Sequence, residues 1–186
     1  MENSLANQRT VAVVTLVIIT VLNIYGVKLV SIVNNTGVVF EILGMVVFAL
    51  ILGAAYNHQG VGVVMQTGGQ TVNFSNFTAA MFMSLFVIYG FDTASTLAEE
   101  TRNPRREAPK AVLASIIGAF VIGAIFLWGT LAAIPNVPDA IKNAMGPGQI
   151  IEANFSPFWA AVYLLVVVAA IFVCCLSIQT STIRLM

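Results

Sequence analysis

The stretch GFDTASTLAEETRNPRREAPKAVL, Gly90 to Leu113, lies between two long apolar runs and decides how the chain is interpreted. It holds eight of the sixteen formally charged residues, from Asp92 to Lys110. Four of the eight are arginine or lysine, which is half of all basic residues in the chain. Such a dense group of charges in an otherwise apolar sequence indicates a short polar connection with a specific role.

The composition indicates which solvent surrounds the chain. Apolar residues make up 59% and charged residues 9%, against roughly 45–50% and about 25% in ordinary soluble domains. The sequence therefore predicts a multi-pass integral membrane protein. The formal net charge is zero and the basic residues form no stripe, so no nucleic-acid partner is expected.

The residues that carry most enzyme chemistry are scarce and scattered. His58 is the only histidine and lies in a polar connection, and Cys174 and Cys175 are adjacent within an apolar run. No nucleophile, base or metal set converges in the pattern. We therefore expect no enzyme activity, no metal and no other cofactor.

Five runs are long and apolar enough, or nearly so, to cross a bilayer, which takes roughly 20 residues. They lie at approximately residues 10–25, 31–56, 77–98, 109–134 and 157–183. We predict an all-α membrane protein in which residues 1–186 form a single transmembrane region. Asn103-Pro104 is expected to stop the third helix, and Pro109 to lie in the first turn of the fourth.

Lysine and arginine predict the orientation, because short cytoplasmic loops are enriched in them. The charged loop, residues 99–110, is therefore expected in the cytoplasm. Alternation then places the N-terminus and the long connection after the second span outside. Lys28 and Arg184 agree with this orientation, whereas Arg9 and Lys142 do not.

The third predicted span contains Gly90 and Asp92 at or near membrane depth. An intramembrane aspartate costs about 2.5–3.5 kcal/mol and should face a cavity or the protein interior. Glycine allows the backbone to leave the helical path. One interpretation is a broken helix whose free backbone groups bind the charged ends of a small zwitterion or amine. In the other, Gly90 serves helix packing and Asp92 lies at the cytoplasmic interface.

The charged loop resembles that of the amino acid–polyamine–organocation permeases, especially their amino acid permease and choline- or GABA-related branches. The resemblance rests on an acidic dipeptide, an Asn-Pro, two arginines and a second proline: Glu99, Glu100, Asn103, Pro104, Arg105, Arg106 and Pro109. The segments LNIYGVKLVSIVNNTGVVFEILG, 22–44, and SIQTSTIRLM, 177–186, are similar to the family's fourth-to-fifth junction and eighth span. The resemblance covers nearly the whole chain.

The resemblance implies a LeuT-like architecture of two inverted five-helix repeats, of which this chain holds spans four to eight as a fragment. It implies a secondary active transporter of amino acids or related amines in the plasma membrane, working by alternating access and coupled to protons. As a partial copy, the chain is not expected to transport alone. The alternative is a non-transporting membrane subunit or scaffold fragment.

The resemblance also implies roles for individual residues. The substrate-binding residues would be Phe86, Tyr89, Gly90 and Phe91, and the coupling or gating residues would be Asp92, Glu41, Glu99, Glu100 and Arg105. Ordinary packing of the aromatic residues and a purely solvated loop remain open as alternatives.

Glu41 departs from the family pattern, because many relatives that work without sodium have a lysine there. It is expected either to carry a proton or to pair with a residue on another helix. The hydroxyls of the last span, those of Ser177, Thr180, Ser181 and Thr182, could hold a cation. We favour bonds to carbonyls of their own helix.

Overall fold

The computed structural model describes residues 5–67, 69, 71–88, 90–91 and 103–185, with no account of the side chains at 27, 83, 86–88 and 184–185. Every regular element in these ranges is helical. In chain order they are α1 (Leu5–Ile24), α2 (Val27–Ala55), a 3₁₀ turn (Val61–Met65), α3 (Phe74–Ile88), α4 (Pro104–Ala132), α5 (Val137–Lys142), α6 (Pro147–Asn154) and α7 (Pro157–Leu185).

Four helices in the described ranges are long and apolar enough to cross a membrane: Leu5–Ile24, Lys28–Ala55, Pro104–Ala132 and Pro157–Ile183. They correspond to four of the five predicted spans. Helices α2, α4 and α7 have 29 residues each, or about 43 Å at 1.5 Å per residue. That exceeds a hydrocarbon core of about 30 Å, so each can tilt or extend into the headgroup region.

The third predicted span, residues 77–98, is described only in part. Helix α3 runs for 15 residues and ends at Ile88, and residues 92–102 lie outside the described part of the chain. Apolar side chains on the long helices point outward, as with Phe120 at 66% and Leu165 at 71% exposure. This is the distribution expected of helices whose surroundings are hydrocarbon.

The start of α4 differs from the prediction. The helix begins at Pro104 and not near residue 109, and Pro109 lies inside it. Pro104 occupies the first turn, where its missing N–H costs least. The backbone carbonyl of Asn103 accepts the N–H groups of Arg106 and Glu107 at 3.1 and 3.0 Å. The prediction was wrong because apolarity locates the membrane-embedded part of a helix, and this first turn is charged.

The chain divides into two compact units, Met1–Glu41 with Val166–Met186, and Ile42–Leu165. In the first unit, Ile19 of α1, Val30 of α2 and Leu176 of α7 form a core that is 0–5% exposed. Gly37 of α2 lies so close to Val173 of α7 that a Cβ at Gly37 would overlap that side chain. Small residues of this kind let membrane helices approach closely.

In the second unit, glycines bring α2 and α4 together. A Cβ added to Gly129 would overlap the backbone of Ala49, and one added to Gly53 would overlap the ring of Trp128. Four aromatic rings pack nearby, with Phe48 in edge contact with Phe155 and Tyr163 at centroid distances of 5.5 and 5.3 Å. Helix α4 also contacts α3, α6 and the 3₁₀ turn.

Candidate functional site

Helix α3 stops just before Gly90, the residue at which one of the two interpretations of the sequence places a helix break. Helix α3 ends at Ile88, and Gly90 has φ +99° in a turn with Phe91. A Cβ at Gly90 would meet nothing within 4 Å. Glycine is therefore required here by the backbone conformation, which residues with side chains rarely adopt, and not by crowding.

The other predicted site residues near this turn are placed only in part. Phe91 is 43% exposed. Phe86 lies in α3, but the position of its side chain is not described. Four predicted residues lie outside the described part of the chain: Tyr89, Asp92, Glu99 and Glu100. Their grouping around Gly90 therefore stays a prediction.

Arg105, the predicted gating residue at the start of α4, is exposed in the first turn of the helix. Within the described ranges, the ion pair of this segment joins Lys110 Nζ to Glu107 Oε1 at 3.3 Å. Both side chains are more than half exposed, and exposed pairs contribute only about 0–1 kcal/mol. A role of Arg105 in a gate would depend on partners outside the described ranges.

Glu41, the predicted coupling residue, lies in the middle of α2 and is half-buried. It belongs to the first unit and lies near Cys174 of α7. Among residues 5–67, 69, 71–88, 90–91 and 103–185, no group forms a hydrogen bond or ion pair with its carboxylate. Such a carboxyl group at membrane depth is costly, which favours a functional interpretation.

Polar side chains join α7 to α1 and α2 in the first unit, an arrangement that we call the α7 polar seam. Its members are Thr20, Asn23, Asn34, Ser177, Gln179, Thr180 and Ser181. The Ser177 hydroxyl donates to Oδ1 of Asn34. Gln179 Nε2 donates to Thr20 Oγ1, and Thr180 Oγ1 lies 2.8 Å from Asn23 Oδ1.

The seam only partly follows the expectation for the hydroxyls of the last span. Thr182 donates to the carbonyl of Ile178 in its own helix, as expected. Ser177 bonds to another helix, and Thr180 lies within bonding distance of both Leu176 O and Asn23. The Ser181 hydroxyl is buried with no partner among the described residues.

Four members of this seam were not among the residues expected from the sequence: Thr20, Asn23, Asn34 and Gln179. A signal existed in the spacing, because Thr20 and Asn23, three positions apart, share one face of α1. Residues 177, 180 and 181 share a face of α7 in the same way. Polar residues repeated on one face of an apolar helix indicate contact with another helix.

Comparison with known proteins identifies the family. The amino acid permease model matches residues 2–184. The dicarboxylic amino acid permease of Saccharomyces cerevisiae is 28% identical over 167 residues, covering 79% of this chain and 27% of that protein. Amino-acid permease BAT1 of Arabidopsis thaliana is 22% identical over 181 residues, covering 88% and 35%. The branched-chain amino acid permease BcaP of Bacillus subtilis is 30% identical over 106 residues, covering 57% and 22%.

The chain therefore spans between 22% and 35% of the length of these relatives. No solved structure shows a significant match to it. The family match nevertheless extends over almost every residue and includes all four candidate spans. The chain belongs to the amino acid permease family, whose members are membrane transporters and not enzymes.

Proposed function

We propose that this chain is part of a secondary active transporter that moves amino acids or related amines by alternating access. The observation that carries the proposal is the family match over residues 2–184. The names of two relatives refer to dicarboxylic and to branched-chain amino acids. These substrates differ in their side chains and share an α-ammonium and an α-carboxylate group. The proposed task of the site is therefore to bind these two charged ends.

The proposed substrate site surrounds Gly90. The end of α3 at Ile88 and the φ of +99° at Gly90 support a helix that breaks there. Backbone N–H and C=O groups released by such a break can bind a carboxylate and an ammonium group. Phe86, Tyr89 and Phe91 would cover the ammonium group with their aromatic faces.

Two sets of charged residues would control the transport cycle, one by coupling it to protons and the other by gating access to the site. Glu41 would carry the coupling proton, and its lack of a described partner supports this role. Asp92, Glu99, Glu100 and Arg105 would form the gate at the cytoplasmic end. Neutralising Glu100 and Arg105 singly and together tests the gate, because strictly additive losses of uptake would show that the two residues do not interact.

The proposed architecture is LeuT-like, and residues 1–186 form one transmembrane region. The protein would lie in the plasma membrane, with residues 99–110 on the cytoplasmic side. The match to only 22–35% of each relative supports a partial copy that does not transport alone. The same observation favours a second candidate, a membrane subunit that assembles with a partner supplying further spans.

Uptake measurements distinguish the two candidates. Labelled glutamate, leucine and lysine are offered to cells that produce the chain alone, and to cells in which it replaces the matching segment of a full-length relative. We expect uptake only in the second case, with loss of accumulation when a protonophore is added. A chimera that reaches the membrane and takes up nothing would favour the subunit.

Gly90→Ala tests the site, and Gly60→Ala is its matched control. Both glycines have positive φ, +99° and +80°, and both have open space around a Cβ. Both substitutions therefore strain the backbone, by about 1–3 kcal/mol each. We expect at least a tenfold loss of uptake by the chimera from Gly90→Ala alone. Equal losses from both substitutions would indicate that strain, and not the site, is responsible.

A further inference from the structure

The end of α4 is tied to two other segments of the second unit. The last carbonyls of a helix have no partner within it and need one elsewhere. Here Ala132 O accepts the backbone N–H groups of His58 and Gln59 at 2.9 and 3.1 Å. Gln59 Nε2 donates to Ile134 O at 2.8 Å, and Asn154 Nδ2 donates to Ala133 O at 3.0 Å. The connection after α2 and the end of α6 thus satisfy three successive carbonyls.

A contact between His58 and Asn154 joins these two segments directly. Asn154 Nδ2 donates to Ile150 O as well as to Ala133 O, so both of its hydrogens are used. Its Oδ1 therefore accepts the bond from His58 Nε2, 3.1 Å away. His58 must carry a hydrogen on Nε2. From the sequence alone, His58 is only a residue of a polar connection.

Buried apolar groups lie at and beside the carbonyls that accept these bonds. Ala133 and Ile151 are fully buried, and Ile134 is 8% exposed. The ring of Phe155, which follows Asn154, packs on Tyr56 of the connection after α2 at a centroid distance of 5.1 Å. The bonds that Gln59 and Asn154 donate to the carbonyls are part-buried, so the loss of either donor leaves a sheltered carbonyl unsatisfied, whereas the contact between His58 and Asn154 is exposed.

We propose that His58, Gln59 and Asn154, with the carbonyls of residues 132–134, form a clamp that holds the ends of α2, α4 and α6 together as one rigid body throughout the conformational cycle. Motion between α2 and α4 at this end is then excluded, and any gate opens elsewhere. The part of the inference that concerns the cycle rests on the proposed transport function. The part that concerns rigidity does not.

Hydrogen–deuterium exchange of the purified full chain tests the rigidity. The peptide that contains the amides of His58 and Gln59 should be protected. Asn154→Ala and His58→Ala should each accelerate its exchange about tenfold or more, and His58→Gln, which keeps a donor, should retain protection. Asn143→Ala is the matched control, because Asn143 is an exposed asparagine at the end of α5 with no described side-chain bond. Unchanged exchange in both alanine variants would overturn the clamp.

Cross-linking tests the role of the clamp in the cycle. Cys174 and Cys175 are free thiols, so both are first replaced by serine within the full-length chimera. His58→Cys and Asn154→Cys are then joined by a short bifunctional thiol reagent. We expect cross-linked and untreated protein to take up substrate within about twofold of each other, and a tenfold loss on cross-linking would show that the clamp opens. Absence of uptake by the chimera that keeps His58 and Asn154 would count against the transport function, while the exchange measurement would still decide whether the clamp exists.

Discussion

At the scale of one residue, a glycine can be needed because a neighbouring backbone leaves no room for a side chain. At Gly129 a Cβ would overlap the backbone of Ala49, which cannot rotate away. We expect Gly129→Ala to destabilise the protein by about 1–3 kcal/mol, as overpacking does. Thermal unfolding in detergent should show a lower Tm.

The control for this substitution is Gly123→Ala in the same helix, where a Cβ would meet nothing within 4 Å. Alanine is favoured over glycine within helices by roughly 0.5–1 kcal/mol, so this variant should be at least as stable as the wild type. A Gly129→Ala variant that matches it in Tm would contradict the close approach of α2 and α4.

The carboxyl group of Glu41, which bonds to none of the described residues, leads to a second prediction at the residue scale. Glu41→Gln keeps the size of the side chain and removes its ability to gain and lose a proton. We expect the chimera to lose at least tenfold in proton-driven accumulation while substrate exchange across the membrane continues. Glu152→Gln, at an exposed position in α6, is the control. Full proton-driven accumulation by Glu41→Gln would show that another group couples transport to protons.

At the scale of elements, the α7 polar seam explains how apolar helices select their neighbours. Apolar side chains give little orientation to helices surrounded by lipid, because lipid tails are equally apolar. Hydrogen bonds between Ser177 and Asn34 and between Gln179 and Thr20 are directional. They favour one rotation of α7 against α1 and α2.

Removal of one hydroxyl from this seam should have a measurable cost. Thr180→Val leaves Asn23 Oδ1 without its partner, and we expect a loss of about 0.6–1.7 kcal/mol, the range of interhelical bonds in membranes. Thr182→Val is the matched control, because in the described part of the chain that hydroxyl donates to Ile178 O of its own helix. Equal stabilities of the two variants in a denaturant titration would argue against the interhelical bond.

At the scale of the whole molecule, the distribution of basic residues predicts the topology. In a background without Cys174 and Cys175, Gln66→Cys reports on the connection after α2 and Arg106→Cys on the charged loop. Both positions are exposed. We expect a membrane-impermeant maleimide to label Gln66→Cys on intact cells and Arg106→Cys only after permeabilisation. The reverse pattern would show that the chain is inserted in the opposite orientation.

Transmembrane helices were predictable from the sequence for a simple reason. A bilayer accepts only segments whose backbone groups bond internally, so apolarity and length alone identify them. Residues 31–56 and 157–183 were therefore located to within a few residues of α2 and α7. The start of α4 was not, because the charged turn from Pro104 lies beyond the apolar run.

The sequence by itself determined that the chain is a helical membrane protein and where its long spans lie. Through the charged loop it also indicated the family that the comparisons then established. Only the tertiary structure decided that Ser177 bonds Asn34 and that His58 and Asn154 meet at the end of α4. The partners in these pairs are 143 and 96 residues apart along the chain. Local composition and periodicity carry no information about which distant polar group will satisfy a buried one, because packing of the helices makes that selection.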